Sequence, residues 1–98
     1  MRYLMFDLSD SDDGVHTLEA MASTRIEAHT AVLAEVQQVL DWARQHRPDG
    51  HGPMADGMTW DHELLVQVEA GWHTVTLTLA GTADFVAELL VAFEPSPD

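Results

Sequence analysis

Leu64-Leu65-Val66-Gln67-Val68-Glu69-Ala70-Gly71-Trp72-His73-Thr74-Val75-Thr76-Leu77-Thr78-Leu79 is the stretch that decides the fold of this chain. On either side of Ala70-Gly71 the residues alternate at period 2, the pattern of strands with one buried face. Leu64, Val66 and Val68 point one way, and Glu63, Leu65, Gln67 and Glu69 the other. Beyond the turn, Val75, Leu77 and Leu79 oppose Thr74, Thr76 and Thr78. A two-residue turn pairs Gln67 with Thr74 and Val66 with Val75, which keeps like faces together. One more loop residue would set Val66 against Thr74 and mismatch the faces, so register selects the tight turn. Strands are predicted over 59–69 and 72–80.

The phrase that opens the second strand, Gly71-Trp72-His73-Thr74-Val75, has an earlier counterpart in Gly14-Val15-His16-Thr17-Leu18. An extended apolar segment precedes each copy, and a helix-like segment starting near a threonine follows. The chain therefore reads strand-strand-helix twice. In the first half, residues 2–8 and 16–23 are the predicted strands, joined by the polar turn Ser9–Gly14. Thr24 with Glu27 has the spacing of a capping box, which predicts a helix over 25–46. Val32, Val36, Val39, Leu40 and Ala43 recur along it at helical spacing, and Pro48 stops it. Arg47 to Met58 is a long connector rich in Gly and Pro. A second helix starts at Thr82 and Asp84 and turns Phe85, Val86, Leu89, Leu90 and Phe93 inward. Leu64, Val66, Val75, Leu77, Val36 and Leu89 are the expected centre of the core.

These elements predict an α+β domain in which two ββα units form a four-stranded antiparallel sheet, strand order 1-2-4-3, with two helices on one face. That order is a circular permutation of the ferredoxin-like plan, which the layout resembles as an architecture; fold alone carries no function. One domain is expected over 1–94, with 95–98 a disordered tail.

Composition narrows the function classes. Ninety-eight residues, 46% of them hydrophobic, suit one domain. No apolar run approaches the roughly 20 residues of a membrane span, and Asp7 interrupts the N-terminal apolar stretch, so neither a span nor a secretory leader is expected. The chain has no cysteine, which excludes thiol chemistry and fits a cytoplasmic location. Seventeen carboxylates against four arginines give a formal charge of −13. Such a charge repels phosphate backbones and anionic lipid, so no nucleic-acid or membrane partner is expected, whereas a basic protein would be attracted. Lysine and asparagine are absent while Ala, Val and Asp abound, a bias typical of a GC-rich bacterial genome.

Four groups of residues could carry chemistry. His16 and His73, though repeated, should lie about 20 Å or more apart at opposite ends of the sheet. Asp7 to Gly14 is dense in carboxylates, but placing Gly14 at the sixth position of a calcium loop puts Ala20 where the bidentate glutamate belongs. The stretch from residue 46 to 63 mixes imidazoles with carboxylates. It offers His46, His51, Asp56 and His62 as metal candidates, and His51, Asp61 and His62 as acid–base candidates. None of these has a recognised ligand spacing, so an ordinary polar connector with no metal and no cofactor is expected. The fourth group is the sheet face opposite the helices, where Tyr3, Met5, Met21, Leu65 and Trp72 should lie among threonines as an interaction face. The expectation is a binding module that forms a homodimer through that face. The alternatives are a small enzyme, cofactor-free or metal-assisted, resembling the dimeric ferredoxin-like barrels, and a chaperone or immunity-type protein for a basic client.

Overall fold

The computed structural model describes residues 3–10, 14–48, 50–52 and 57–93. Its elements are β1 (Met5–Asp10), β2 (His16–Arg25), a 3-10 turn (Ile26–Ala28), α1 (His29–His46), β3 (Trp60–Glu69), β4 (Trp72–Gly81) and α2 (Ala83–Phe93). The strands form one sheet in the order β1-β2-β4-β3, every neighbouring pair antiparallel. The two strands that begin with the repeated phrase are thus central. His16 pairs with Gly81 and His73 with Thr24, at opposite ends of the same ladder. Among the described residues, no helix is long and apolar enough to cross a membrane.

The hairpin that decides the fold has the expected register, Val66 opposite Val75 and Gln67 opposite Thr74. Ala70 (φ 49°) and Gly71 (φ 84°) both adopt left-handed backbone, as in the two-residue turns whose twist matches that of the flanking strands.

Both helices pack over the central strands. Leu18, Ala20 and Ala22 of β2 and Val75, Leu77 and Leu79 of β4 meet Val32, Val36, Val39 and Ala43 of α1 and Phe85, Val86 and Leu89 of α2. Four of the six expected core residues are buried here. Leu64 and Val66 are not: they are 41% and 40% exposed, and Val68 beyond them is 67% exposed. They do share the helix-side face of the sheet, but β3 is an edge strand and the helices sit inboard of it. Only Trp60, at its start, reaches the core with no exposed surface.

Several element boundaries differ from those predicted: Ser9 and Asp10, expected in the polar turn, extend β1 by pairing with Thr17 and His16, and β2 runs past residue 23. The β2–β4 ladder continues through Thr24 opposite His73 and Arg25 opposite Trp72. Thr24 is therefore extended strand, not a cap, and no side chain caps the start of α1. The chain leaves the sheet through the 3-10 turn, anchored by Ile26 N donating to Gly71 O at 3.2 Å. Ladder pairing outweighs the local capping signal. Thr82, by contrast, does cap α2, its Oγ1 accepting Phe85 N–H at 3.3 Å. The predicted tail at 95–98 lies outside the described residues.

The first strand begins at Met5, not residue 2, because the chain ahead of it is bound to α1. The Glu35 carboxylate accepts the backbone N–H of Tyr3 (3.0 and 3.1 Å) and of Leu4 (3.0 Å). Tyr3 is consequently drawn to the helix side, where it packs on the core and not on the open face. Glu35→Ala would strand two half-buried donors and should cost about 1–3 kcal/mol, read as a lower thermal midpoint, with Glu35→Gln recovering part of the loss.

Candidate functional site

Gly50 brings the connector after α1 back onto the free edge of β3. Its carbonyl accepts Thr59 N–H at 2.8 Å and Trp60 N–H at 3.0 Å, and Gly52 N donates to Trp60 O at 2.9 Å. A Cβ on Gly50 would stand 2.8 Å from the Thr59 Cβ, so only glycine allows this approach. The bonds fix His51 in a single parallel bridge with Trp60. Trp60 is a firm platform: its indole Nε1 donates to Arg47 O at 3.2 Å and its ring stacks with Phe85, centroids 5.5 Å apart. His51 lies against the same indole at 4.1 Å and 22°.

Two residues along β3, His62 meets His51, and Asp61 joins them. His51 Nε2 is 2.9 Å from His62 Nδ1 and 3.4 Å from Asp61 Oδ1. Asp61 Oδ1 also accepts the His62 backbone N–H at 2.8 Å, which orients the carboxylate. One ligand atom from each of the three residues lies within 4.8 Å of the others. Burial holds the His62 pKa below its ordinary value, aided by His51 and Arg44 and opposed by Asp61. A neutral imidazole in this position can accept a proton or ligate a cation.

The structure thus gathers His51, Asp61 and His62 and leaves His46 elsewhere. His46 stacks on Trp42 at 4.2 Å, and its Nδ1 is hydrogen-bonded to Trp42 O at 2.9 Å. Asp56 lies outside the described residues. An open groove of about 490 Å³ runs between the end of α1 and α2, with Trp42, His46, Ala87 and Val91 among its walls. An Arg47–Glu88 ion pair at 2.8 Å links the two helices beside it.

A second histidine contact had no sequence signal. His29, at the start of α1, meets His73 edge to face at 4.1 Å. Their Nδ1 atoms and Thr24 Oγ1 are enclosed without a protein hydrogen-bond partner. Placing the helix start at 25 hid this cluster, since the true start depends on how far β2 pairs.

The sheet face away from the helices is uncovered. Met5 pairs with Met21, Met21 with Thr76, and Thr76 with Leu65, so these four form one row across every strand. Met5 (78% exposed), Met21 (56%) and Leu65 (51%) are open to solvent. On one side of this row runs an acidic one, Asp7-Glu19-Thr78-Glu63; on the other runs Ser23-Thr74-Gln67, where Ser23 Oγ and Thr74 Oγ1 are hydrogen-bonded at 3.1 Å. Beyond that, Trp72 is exposed beneath the Arg25 guanidinium, 5.3 Å from its ring. No protein-family model matches this chain, and neither does any curated protein or solved structure.

Proposed function

We propose that this chain is a small cytoplasmic bacterial binding module, built on a circularly permuted ferredoxin-like plan, whose open sheet face takes up a second copy of itself. The observation that carries the reading is the unbroken row Met5-Met21-Thr76-Leu65, three of whose four side chains are large, apolar and exposed. Covering such a row removes apolar surface from water at roughly 25 cal/mol per Å². Sheets packed face to face lie about 10 Å apart, so side chains from both rows would interdigitate.

Charge selects the symmetry of the pair. A two-fold axis along the row sets Glu19 over Ser23 and Glu63 over Gln67 of the other copy. An axis along the strands would instead set Asp7 over Glu63, stacking carboxylates, so the first arrangement is favoured. Overall repulsion between two chains of charge −13 still opposes association until salt screens it. The dimer should therefore tighten from low to moderate ionic strength, and mild acid, by charging histidines, should act in the same direction.

Sedimentation at two salt concentrations tests this. Wild type should shift toward dimer as salt rises, and Met5→Glu/Leu65→Glu should stay monomeric. A monomer in every condition, or a dimer indifferent to those substitutions, would sink the proposal.

A further inference from the structure

We propose that His51 Nε2, His62 Nδ1 and Asp61 Oδ1 form a binding site for a divalent transition-metal ion at the free edge of β3, independent of the open sheet face. Two imidazole nitrogens and a carboxylate oxygen form a donor set of borderline softness that suits zinc and its first-row neighbours rather than magnesium or calcium. The geometry is close to what an ion requires. Ligand atoms that each stand about 2.0–2.2 Å from zinc are roughly 3.3–3.6 Å from one another in a tetrahedral shell. Here His51 Nε2 is 2.9 Å from His62 Nδ1 and 3.4 Å from Asp61 Oδ1. Small side-chain rotations would open the shorter distance onto an ion.

The supports behind these donors already fix their directions. His51 is held from below by the Trp60 indole and on either side by the backbone hydrogen bonds of its neighbours Gly50 and Gly52. Asp61 is oriented by the His62 N–H, and His62 by the β3–β4 ladder, where it pairs with Leu79. Groups that orient metal ligands from outside the shell matter to binding; losing such a hydrogen-bond partner typically costs about 10–100-fold in affinity. His51 is exposed and the other two are partly so, which leaves an approach path and room for water or a substrate atom to complete the shell. Saturable zinc binding that depends on these side chains distinguishes a metal site from a purely hydrogen-bonded cluster.

Zinc is titrated calorimetrically into the untagged chain, with cobalt as a spectroscopic probe in parallel. The expected result is a saturable one-to-one event that weakens by about tenfold or more in each of His51→Ala and His62→Ala, and to a lesser degree in Asp61→Asn. His46→Ala, which alters an exposed histidine elsewhere, should bind as wild type. The visible cobalt spectrum should change in the His62 variant. Circular dichroism checks that each variant folds, and the near-isosteric Asp61→Asn and His51→Gln keep the test valid if an alanine variant does not. Failure of the wild type to saturate, or equal zinc binding in a His51→Ala/His62→Ala double variant, would overturn the site. The sedimentation of the Met5→Glu/Leu65→Glu chain is unaffected by either outcome.

Discussion

Val36→Asp should lower the melting temperature of the chain by about 10 °C or more. Val36 is only 3% exposed, on the α1 stripe that faces the centre of the sheet. Its apolar neighbours there include Val32, Val39 and Leu40 of the same helix. A carboxylate in that position loses its hydration and gains no partner; Arg44, in the last turn of α1, and Arg47, just after it, stand at the helix's far end. Burying an unpaired charge costs several kcal/mol, about 3 or more even after local relaxation. A domain of this size has about 5–15 kcal/mol in total, so a loss of about 3 takes roughly a fifth to three fifths of it. Far-ultraviolet circular dichroism against temperature reads the effect. A wild-type melting temperature would mean that α1 presents a different face to the sheet.

Trp60→Ala is the second large effect, and it joins stability to the histidine cluster. Trp60 has no exposed surface, although it sits on an edge strand whose later residues are open. It carries Phe85 on the core side of the fold and supports His51 near the surface. Truncation should cost about 3–5 kcal/mol, the usual range for a large buried aromatic. Trp60→Phe keeps the apolar contact with Phe85 and loses the bond to Arg47 O, so it should cost far less, on the order of 1 kcal/mol beyond the volume change. Urea unfolding of the three chains measures both differences. Should Trp60→Ala fall within 1 kcal/mol of wild type, the indole would not be the anchor described here.

What was legible in the sequence was what periodicity and register control. The hairpin across Ala70-Gly71 follows from alternation plus a two-residue turn, and the strand order follows from writing strand-strand-helix twice. Facing was right even where burial was wrong: Leu64 and Val66 share a face with Leu77 and Val75, yet alternation does not say how far a helix reaches across a sheet. The capping signal at Thr24 failed for a related reason, since a local pattern competes with strand pairing whose extent is decided by a distant segment. Tyr3 left the open face because Glu35, remote in sequence, takes its N–H. The candidate cluster was half legible. Asp61 and His62 are neighbours, but their meeting with His51 depends on the close approach of Gly50 to Thr59, which no ligand spacing encodes.

The central claim is that the open sheet face is where this chain meets its own copy. Because the chain has no cysteine, one introduced thiol is unambiguous. Met21→Cys places it in the middle of the apolar row, and Val91→Cys places it on α2, at a side chain 85% exposed on the opposite side of the molecule. Val68→Cys marks the helix-side face of the β3 edge, beyond the reach of the helices. Each chain is treated with a short bismaleimide at moderate salt. The account predicts covalent dimer from Met21→Cys, little from Val68→Cys and none above background from Val91→Cys. Cross-linking that favours Val68 or Val91, with Met21 left monomeric, would contradict it.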